Sequence, residues 1–350
     1  MENVLATKKP ATVILADYFA NANFLFRMGV SSDCMLPQGA MIFAVDPWDC
    51  ERTGYVVDMT SGQSVQVGPH TGDDASRWYR QFEAIAHKLK PVPMVAPSAA
   101  KGRFCTLPRR TAVATEDREL WRQRLGFGDR DRAVLFCTNR WQHQRADGLF
   151  KKQADALPRL LAQYIARLGE SVHLVHLGPE AYDLGIQLGK RYHWLPPVAP
   201  ADFESMIAGM DLMVSANISA TTIAKAMTHG VPVLVLQNSV SVTSCEDAET
   251  ALASGSSVWL RAWLEQAVPL LPFSLWPVGF HRFLTPLLRD NPYVAALDIA
   301  EILDERGTEA TLAGLLFEPS SREDHLHRQT AYLNQIRSLP TGAETIKAIC

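Results

Sequence analysis

The sequence predicts an α/β protein of two domains, built on doubly wound parallel sheets. Three observations carry that expectation. Short apolar runs alternate with amphipathic segments along the chain, as parallel strands do when crossover helices join them. A length of 350 residues favours two domains over one. The stretch from Leu212 to Gln237 reads as one complete strand–turn–helix–strand unit.

Taken in order, Thr12–Ala16 is the first strand and ends at Asp17. Asn23–Met28 reads as a short helix stopped by Gly29, and Met41–Val45 is a second buried strand running into Asp46-Pro47-Trp48-Asp49. Tyr55–Asp58 is a brief extended piece. Ser76–Leu89 carries Trp78, Tyr79, Phe82, Ile85 and Leu89 at helical spacing. Pro91, Pro93 and Pro97 then break the pattern, and the segment to Arg110 reads as irregular. The first domain, 1–115, is therefore expected to be small.

Glu116–Leu125 reads as a helix closed by Gly126 and opens the second domain, 116–320. Ala133–Cys137, Val172–Leu177 and Tyr192–Leu195 are strands, with an amphipathic helix at Ala154–Leu168 and another at Phe203–Gly209. Leu212-Met213-Val214 is too short for a helix and reads as a buried strand. Small and hydroxyl residues follow, from Ser215 to Thr222; Ile223–His229 has helical spacing, Gly230 stops it, and Pro232 opens the strand Val233–Leu236. The densest aromatic patch, Phe273–Phe283, reads as core or domain contact. Ala295–Leu303 and Ser321–Ile336 read as helices, the latter within the C-terminal segment 321–350.

A net charge of -3 gives no basic surplus for nucleic acid. No apolar run approaches the roughly 20 residues of a membrane span, and Met1–Lys9 lacks an apolar signal core. Six cysteines without paired spacing suggest neither zinc nor a disulfide framework. A cytoplasmic protein with reduced thiols is the expectation, and a homodimer is compatible with it.

The turn before Ile223 places a helix N-terminus at the carboxyl edge of a parallel sheet. Such a terminus offers unpaired N–H groups and a partial positive charge, and small residues let an anion approach. An ordinary capped βα turn has the same composition. The order Pro197-Val198, Asp202-Phe203, Asp211-Leu212, Val214-Ser215, Thr222, Gly230-Val231-Pro232 resembles the donor half of the GT-B glycosyltransferase superfamily. That resemblance implies a GT-B-like fold of two Rossmann-like domains and a nucleoside-diphosphate sugar, UDP- or dTDP-linked, held as substrate with no other cofactor and no metal. It implies two domains facing across a cleft, with the C-terminal segment 321–350 crossing back to the first. It implies a diphosphate site at the turn Ser219-Ala220-Thr221-Thr222, with Thr222 where the superfamily has its diphosphate-binding threonine, base contacts from Trp194, Pro197 and Val198, and sugar contacts near Gln237 and Asn238. Ser219 stands where the superfamily has a glycine, and Asn217 in the same site replaces a histidine common in natural-product glycosyltransferases. Lys225 stands where many relatives have a ribose-binding glutamate, so it departs from the pattern.

Thr138, Asn139 and Arg140 follow the first strand of the second domain and converge on the same crevice, Arg140 as a partner for phosphate. Glycosyl transfer to a hydroxyl needs a base near the acceptor. Asp46 is the first candidate and Asp17 the second, because each ends a strand on the cleft side; His70, in a Gly/Pro-flanked loop, is the third. Asp46 and Asp49 are equally suited to capping a turn after Pro47. The implied activity is metal-independent transfer of a sugar to a small-molecule acceptor, in natural-product or antibiotic biosynthesis. A nucleotide-sugar hydrolase or 2-epimerase of the same fold, and a non-catalytic partner protein, are the alternatives.

Overall fold

A computed structural model describes residues 7–53, 56–58, 64–66, 72–98, 100–107, 115–144 and 149–350. Twelve strands are described: β1 (Thr12–Leu15), β2 (Met41–Val45), β3 (Val56–Asp58), β4 (Ser64–Gln66), β5 (His87–Val92), β6 (Arg103–Cys105), β7 (Arg132–Cys137), β8 (Val172–Leu177), β9 (Tyr192–Leu195), β10 (Leu212–Ser215), β11 (Val233–Gln237) and β12 (Asp298–Glu301). They form a four-stranded sheet ordered β1-β2-β5-β6, a six-stranded sheet ordered β12-β11-β10-β7-β8-β9, and the small pair β3-β4. Both larger sheets are parallel throughout. The fold is α/β, as the alternation of apolar and amphipathic segments implies.

The order of the second sheet matters for function. Its first strand in sequence, β7, lies between β8 on one side and β10 on the other, so the winding reverses there. In doubly wound sheets the crevice at that reversal receives ligands. The first sheet adds its strands in one direction and has no such point among the described residues.

Side chains alternate across the second sheet as a strand's period of two requires. Ala133 and Leu135 face one core with Met213 and Val235, while Val134 and Phe136 face the other with Val214 and Leu234. Near-continuous burial along β7, β10 and β11 explains why these strands read as apolar runs.

Several elements depart from their sequence reading. The helix read as Asn23–Met28 spans Tyr18–Arg27, because Asp17 caps it through a 2.9 Å bond from the Ala20 amide. The helix read to Leu89 covers Gly72–Ala84 and stops there; Leu89 belongs to β5, where it is 2% exposed. The stretch read as irregular holds β5 and β6, with Pro91 inside β5. Ala295–Leu303 is not a helix: Asp298–Glu301 forms edge strand β12 beside β11, and a further helix, Glu305–Phe317, follows.

Two segments tie the sheets together. Asp58 of β3 accepts from the Arg282 and Phe283 amides at 3.0 and 2.8 Å, capping the helix His281–Leu288 from the other side of the join. The C-terminal segment returns to the first sheet, where the Cys105 amide donates to Pro340 O at 2.9 Å. Tyr332 and Asn291 add hydrogen bonds to Pro93 O and Met94 O. No helix of the described residues is long and apolar enough to cross a membrane.

Candidate functional site

The carboxyl ends of the two sheets face each other across a cleft of about 410 Å³, a size that suits a small organic ligand. One wall comes from the loops after β2, β5 and β6: Pro47, Trp48, Pro93, Met94, Thr106 and Leu107. The other comes from the turn after β10 and its helix: Ser219, Ala220, Thr221, Ala224 and Lys225. The first wall is apolar apart from Thr106, and the second is small and polar with a cation.

The second wall is shaped by Asn217. Its Oδ1 accepts from the Ser219 amide at 2.9 Å and from the Ser219 hydroxyl at 2.7 Å, while its carbonyl accepts from Ala220 N at 3.1 Å. This Asx-type turn tightens the chain before the helix Thr221–Thr228. Ala220 stands at the N-cap with no side chain to accept a bond, so the first-turn amides of Thr221 and Thr222 stay available to an anion. Thr221 lines the cleft and Thr222 does not. Asn217 is thus a scaffold for the turn.

Lys225 lies one helical turn further along, where its ammonium is bonded to Glu204 and sits 5.2 Å from the Phe203 ring centre. Glu204 also takes a 2.5 Å bond from His229. Burial acts to raise the Glu204 carboxyl, but the bonds from Lys225 and His229 outweigh it and hold the group below the usual carboxylate range. Lys225 therefore arrives at the cleft wall as one half of an ion pair.

The loop after β7 divides its residues between two tasks. Thr138 is 7% exposed and bonds inward to His143 and His176. The Asn139 amide donates to Gln142 Oε1 at 2.6 Å, and Gln142 Nε2 in turn donates to Trp276 O at 3.0 Å, which anchors the loop to the core. The exposed Arg140 opens a short helix, Arg140–Gln144. On β9, Trp194 is 41% exposed with its Nε1 donating to Gly178 O at 3.0 Å, and Val198 is half-buried beyond it. Gln237 and Asn238 are committed within the protein. Gln237 Nε2 donates to Glu301 at 2.7 Å, and the fully buried Asn238 donates to Val240 O and Leu271 O at 2.7 and 3.0 Å.

Asp46 and Asp17 lie apart from this wall. Asp46 is 1% exposed, and both its oxygens accept from the Cys50 amide, at 3.1 and 3.0 Å. Burial raises its pKa, against the lowering effect of the Cys50 bond and of Lys90. It sits behind Pro47 and Trp48, which reach the cleft in its place. Asp49 pairs with Lys90 at 2.5 Å, so the two aspartates clamp the Pro47-Trp48 turn. Asp17 is exposed and caps the helix Tyr18–Arg27. His70 lies outside the described residues.

Residues that sequence reading left out of the site include Trp48, Glu204, His143 and His176. Trp48 was visible in Asp46-Pro47-Trp48-Asp49, where an aromatic between two turn-forming acids is held outward. Glu204 had no signal, because its pairing with Lys225 and His229 joins two helices. His176 alternates with apolar residues on β8 and proves fully buried, at 1% exposure.

A family model described as a family of unknown function, DUF6365, matches residues 1–350, and the chain belongs to that family. No curated protein matches the sequence. Among solved structures, the spinosyn rhamnosyltransferase SpnG, complexed with spinosyn aglycone, is similar at a TM-score of 0.51 and 14% identity, over 99% of this chain and 75% of that one. Alr3699/HepE of Anabaena, in complex with UDP and glucose, is similar at a TM-score of 0.52 and 11% identity, over 99% of this chain and 79% of that one. Likeness at these identities establishes the fold, which is the GT-B fold of nucleotide-sugar glycosyltransferases.

Proposed function

We propose that this DUF6365 protein holds a nucleoside-diphosphate sugar against the Ser219–Thr222 turn and transfers the sugar to a small acceptor seated on Trp48 and Leu107. One observation carries the reading: an uncapped helix N-terminus at the reversal point of the second sheet opens on a cleft whose other wall is apolar. In this account the Thr221 and Thr222 amides and the Thr221 hydroxyl hold the diphosphate as it departs, where fixed dipoles stabilise developing charge most effectively. Arg140 and Lys225 add positive potential in place of a metal ion. Trp194 and Val198 receive the base, uracil or thymine, and Trp194's exposed face favours stacking. An apolar first wall favours an aglycone of natural-product type as acceptor, the class that SpnG was solved with. Asp46 is the candidate base from the first domain, its raised pKa suiting proton acceptance; that role requires Pro47-Trp48 to shift.

A second reading is favoured by one feature. No carboxylate or imidazole lines the cleft among the described residues, which suits a protein that binds the nucleotide sugar without transferring it. Incubation with UDP-glucose or a dTDP-sugar, with and without a panel of hydroxylated aglycones, separates the readings when diphosphate release is followed by phosphorus NMR. Release that depends on the acceptor supports transfer. Release without acceptor indicates a hydrolase, and binding without release indicates a non-catalytic partner.

A further inference from the structure

The turn from Asn217 to Thr222 has two chemically opposite ends, and its hydrogen bonds show which is which. The Ser219 amide donates to Asn217 Oδ1 at 2.9 Å. A backbone N–H can only donate, so the atom it meets is the carbonyl oxygen of the Asn217 side chain and carries no proton. The Ser219 hydroxyl lies 2.7 Å from the same oxygen and therefore gives its own proton to it. What the half-buried Ser219 Oγ has left is lone pairs, and no group among the described residues donates to them.

The Ala220 amide is spent as well, on the Asn217 backbone carbonyl at 3.1 Å. Free amides begin only at Thr221, where the helix Thr221–Thr228 starts with no capping side chain. An anion is thus drawn to the Thr221 end of the turn and repelled by the Ser219 oxygen, since two oxygens with no proton between them make no bond. Ser219 and Thr221 line the same cleft. A group seated against Ser219 has to bring the proton itself, as the hydroxyl of a sugar does.

Lys225 fixes which half of a nucleotide sugar meets that oxygen. It lines the cleft beyond Thr221 and is tied through Glu204 to the helix Pro200–Ala208. That helix follows the loop of Trp194 and Val198, so the nucleoside lies on the Lys225 side of the turn. In chain order Ser219 stands on the other side of Thr221. We propose that Ser219 is a specificity-determining residue that accepts a hydrogen bond from a hydroxyl of the transferred sugar and takes no part in holding the diphosphate. This rests on the reading of the Thr221 end as the diphosphate site. A sugar lacking that hydroxyl leaves a half-buried oxygen unpaired, which is how a polar site rejects an analogue.

Calorimetric titration of the wild type and Ser219→Ala with UDP, dTDP and their glucose conjugates tests it. The variant is expected to bind the nucleoside diphosphate within about twofold of wild type and the nucleotide sugar about three- to tenfold more weakly, the loss of one neutral hydrogen bond. Retained binding of the nucleoside diphosphate certifies that the turn is intact. A second series removes the glucose hydroxyls one at a time. One deoxy analogue should lose that same factor against the parent sugar in the wild type and lose nothing in Ser219→Ala. A series in which no analogue loses affinity for the wild type, or in which every loss persists in the variant, overturns the proposal alone. So does a variant that weakens the nucleoside diphosphate and its glucose conjugate equally, or a wild type that binds the former and neither conjugate. A wild type that binds neither UDP nor dTDP removes the diphosphate reading and this proposal with it.

Discussion

Trp48 meets Phe283 edge-on where the two sheets join, with ring centres 6.2 Å apart and planes inclined by 65°. Phe280 meets the same indole from a second side at 6.3 Å. Trp48 also forms part of the cleft wall, so one side chain both sets the spacing of the sheets and shapes the space between them. Truncation should therefore affect stability and ligand binding together. Trp48→Ala is expected to lower unfolding free energy by roughly 2–4 kcal/mol, somewhat below the full cost of emptying a core site because the ring is only partly buried. Trp48→Phe should recover most of it. Urea unfolding of the three proteins measures this.

Gly178→Ala should destabilise by about 1–3 kcal/mol through overpacking, because the added methyl meets Thr138 and His176 at distances no real Cβ tolerates. The loss should appear in thermal unfolding and be accompanied by a change in the His176 ring signals.

His176 makes stability depend on pH with a defined sign. Burial lowers its pKa from 6.5 to about 3, assisted by His143. The unfolded chain takes up a proton below pH 6.5 that the folded protein refuses, so this contribution is complete above 6.5 and is lost as the pH falls toward 3. One group of this kind tilts stability by up to about 1.4 kcal/mol per pH unit within that window. Denaturant midpoints measured from pH 7 to pH 4 should fall less steeply for His176→Gln than for the wild type.

Glu204→Gln tests the cation at the cleft wall. Removing the carboxylate frees Lys225 and His229 from their shared partner. Because the Glu204 pKa is depressed, the stability it supplies is present above the ordinary glutamate pKa and lost as the pH falls through its lowered value. The variant should be less stable than wild type at pH 7, with the difference shrinking below pH 4 or so. Its affinity for UDP should rise, since an unpaired ammonium attracts phosphate more strongly. Calorimetry at both pH values reads the two effects separately.

The unit from Leu212 to Gln237 was legible because every local signal agrees: a short apolar run, hydroxyl and small residues in the turn, Gly230 in the left-handed region at φ +68, and Pro232 before the next strand. The first sheet was obscured where the signals conflict. His87–Val92 contains two lysines and a proline, and the helical spacing that includes Leu89 hid the switch to a strand. Asp298–Glu301 carries acidic residues at both ends, so nothing in its composition marks an edge strand. The site behaved in the same way. Ser219, Ala220 and Thr221 lie on the cleft, whereas Asn217 is held by Ser219 within its own turn, and Thr138 and Asn238 bond to residues distant in sequence. Those partners cannot be read from spacing.

The most direct test of the central claim is titration of the wild type, Thr221→Val and Thr222→Val with UDP and dTDP. Thr221 faces the cleft and Thr222 does not, so Thr221→Val should weaken binding by about ten- to a hundredfold, the loss of a hydrogen bond to a charged group, and Thr222→Val by less than about threefold. Binding that is absent from the wild type, or unchanged in Thr221→Val, would contradict a diphosphate held at this turn.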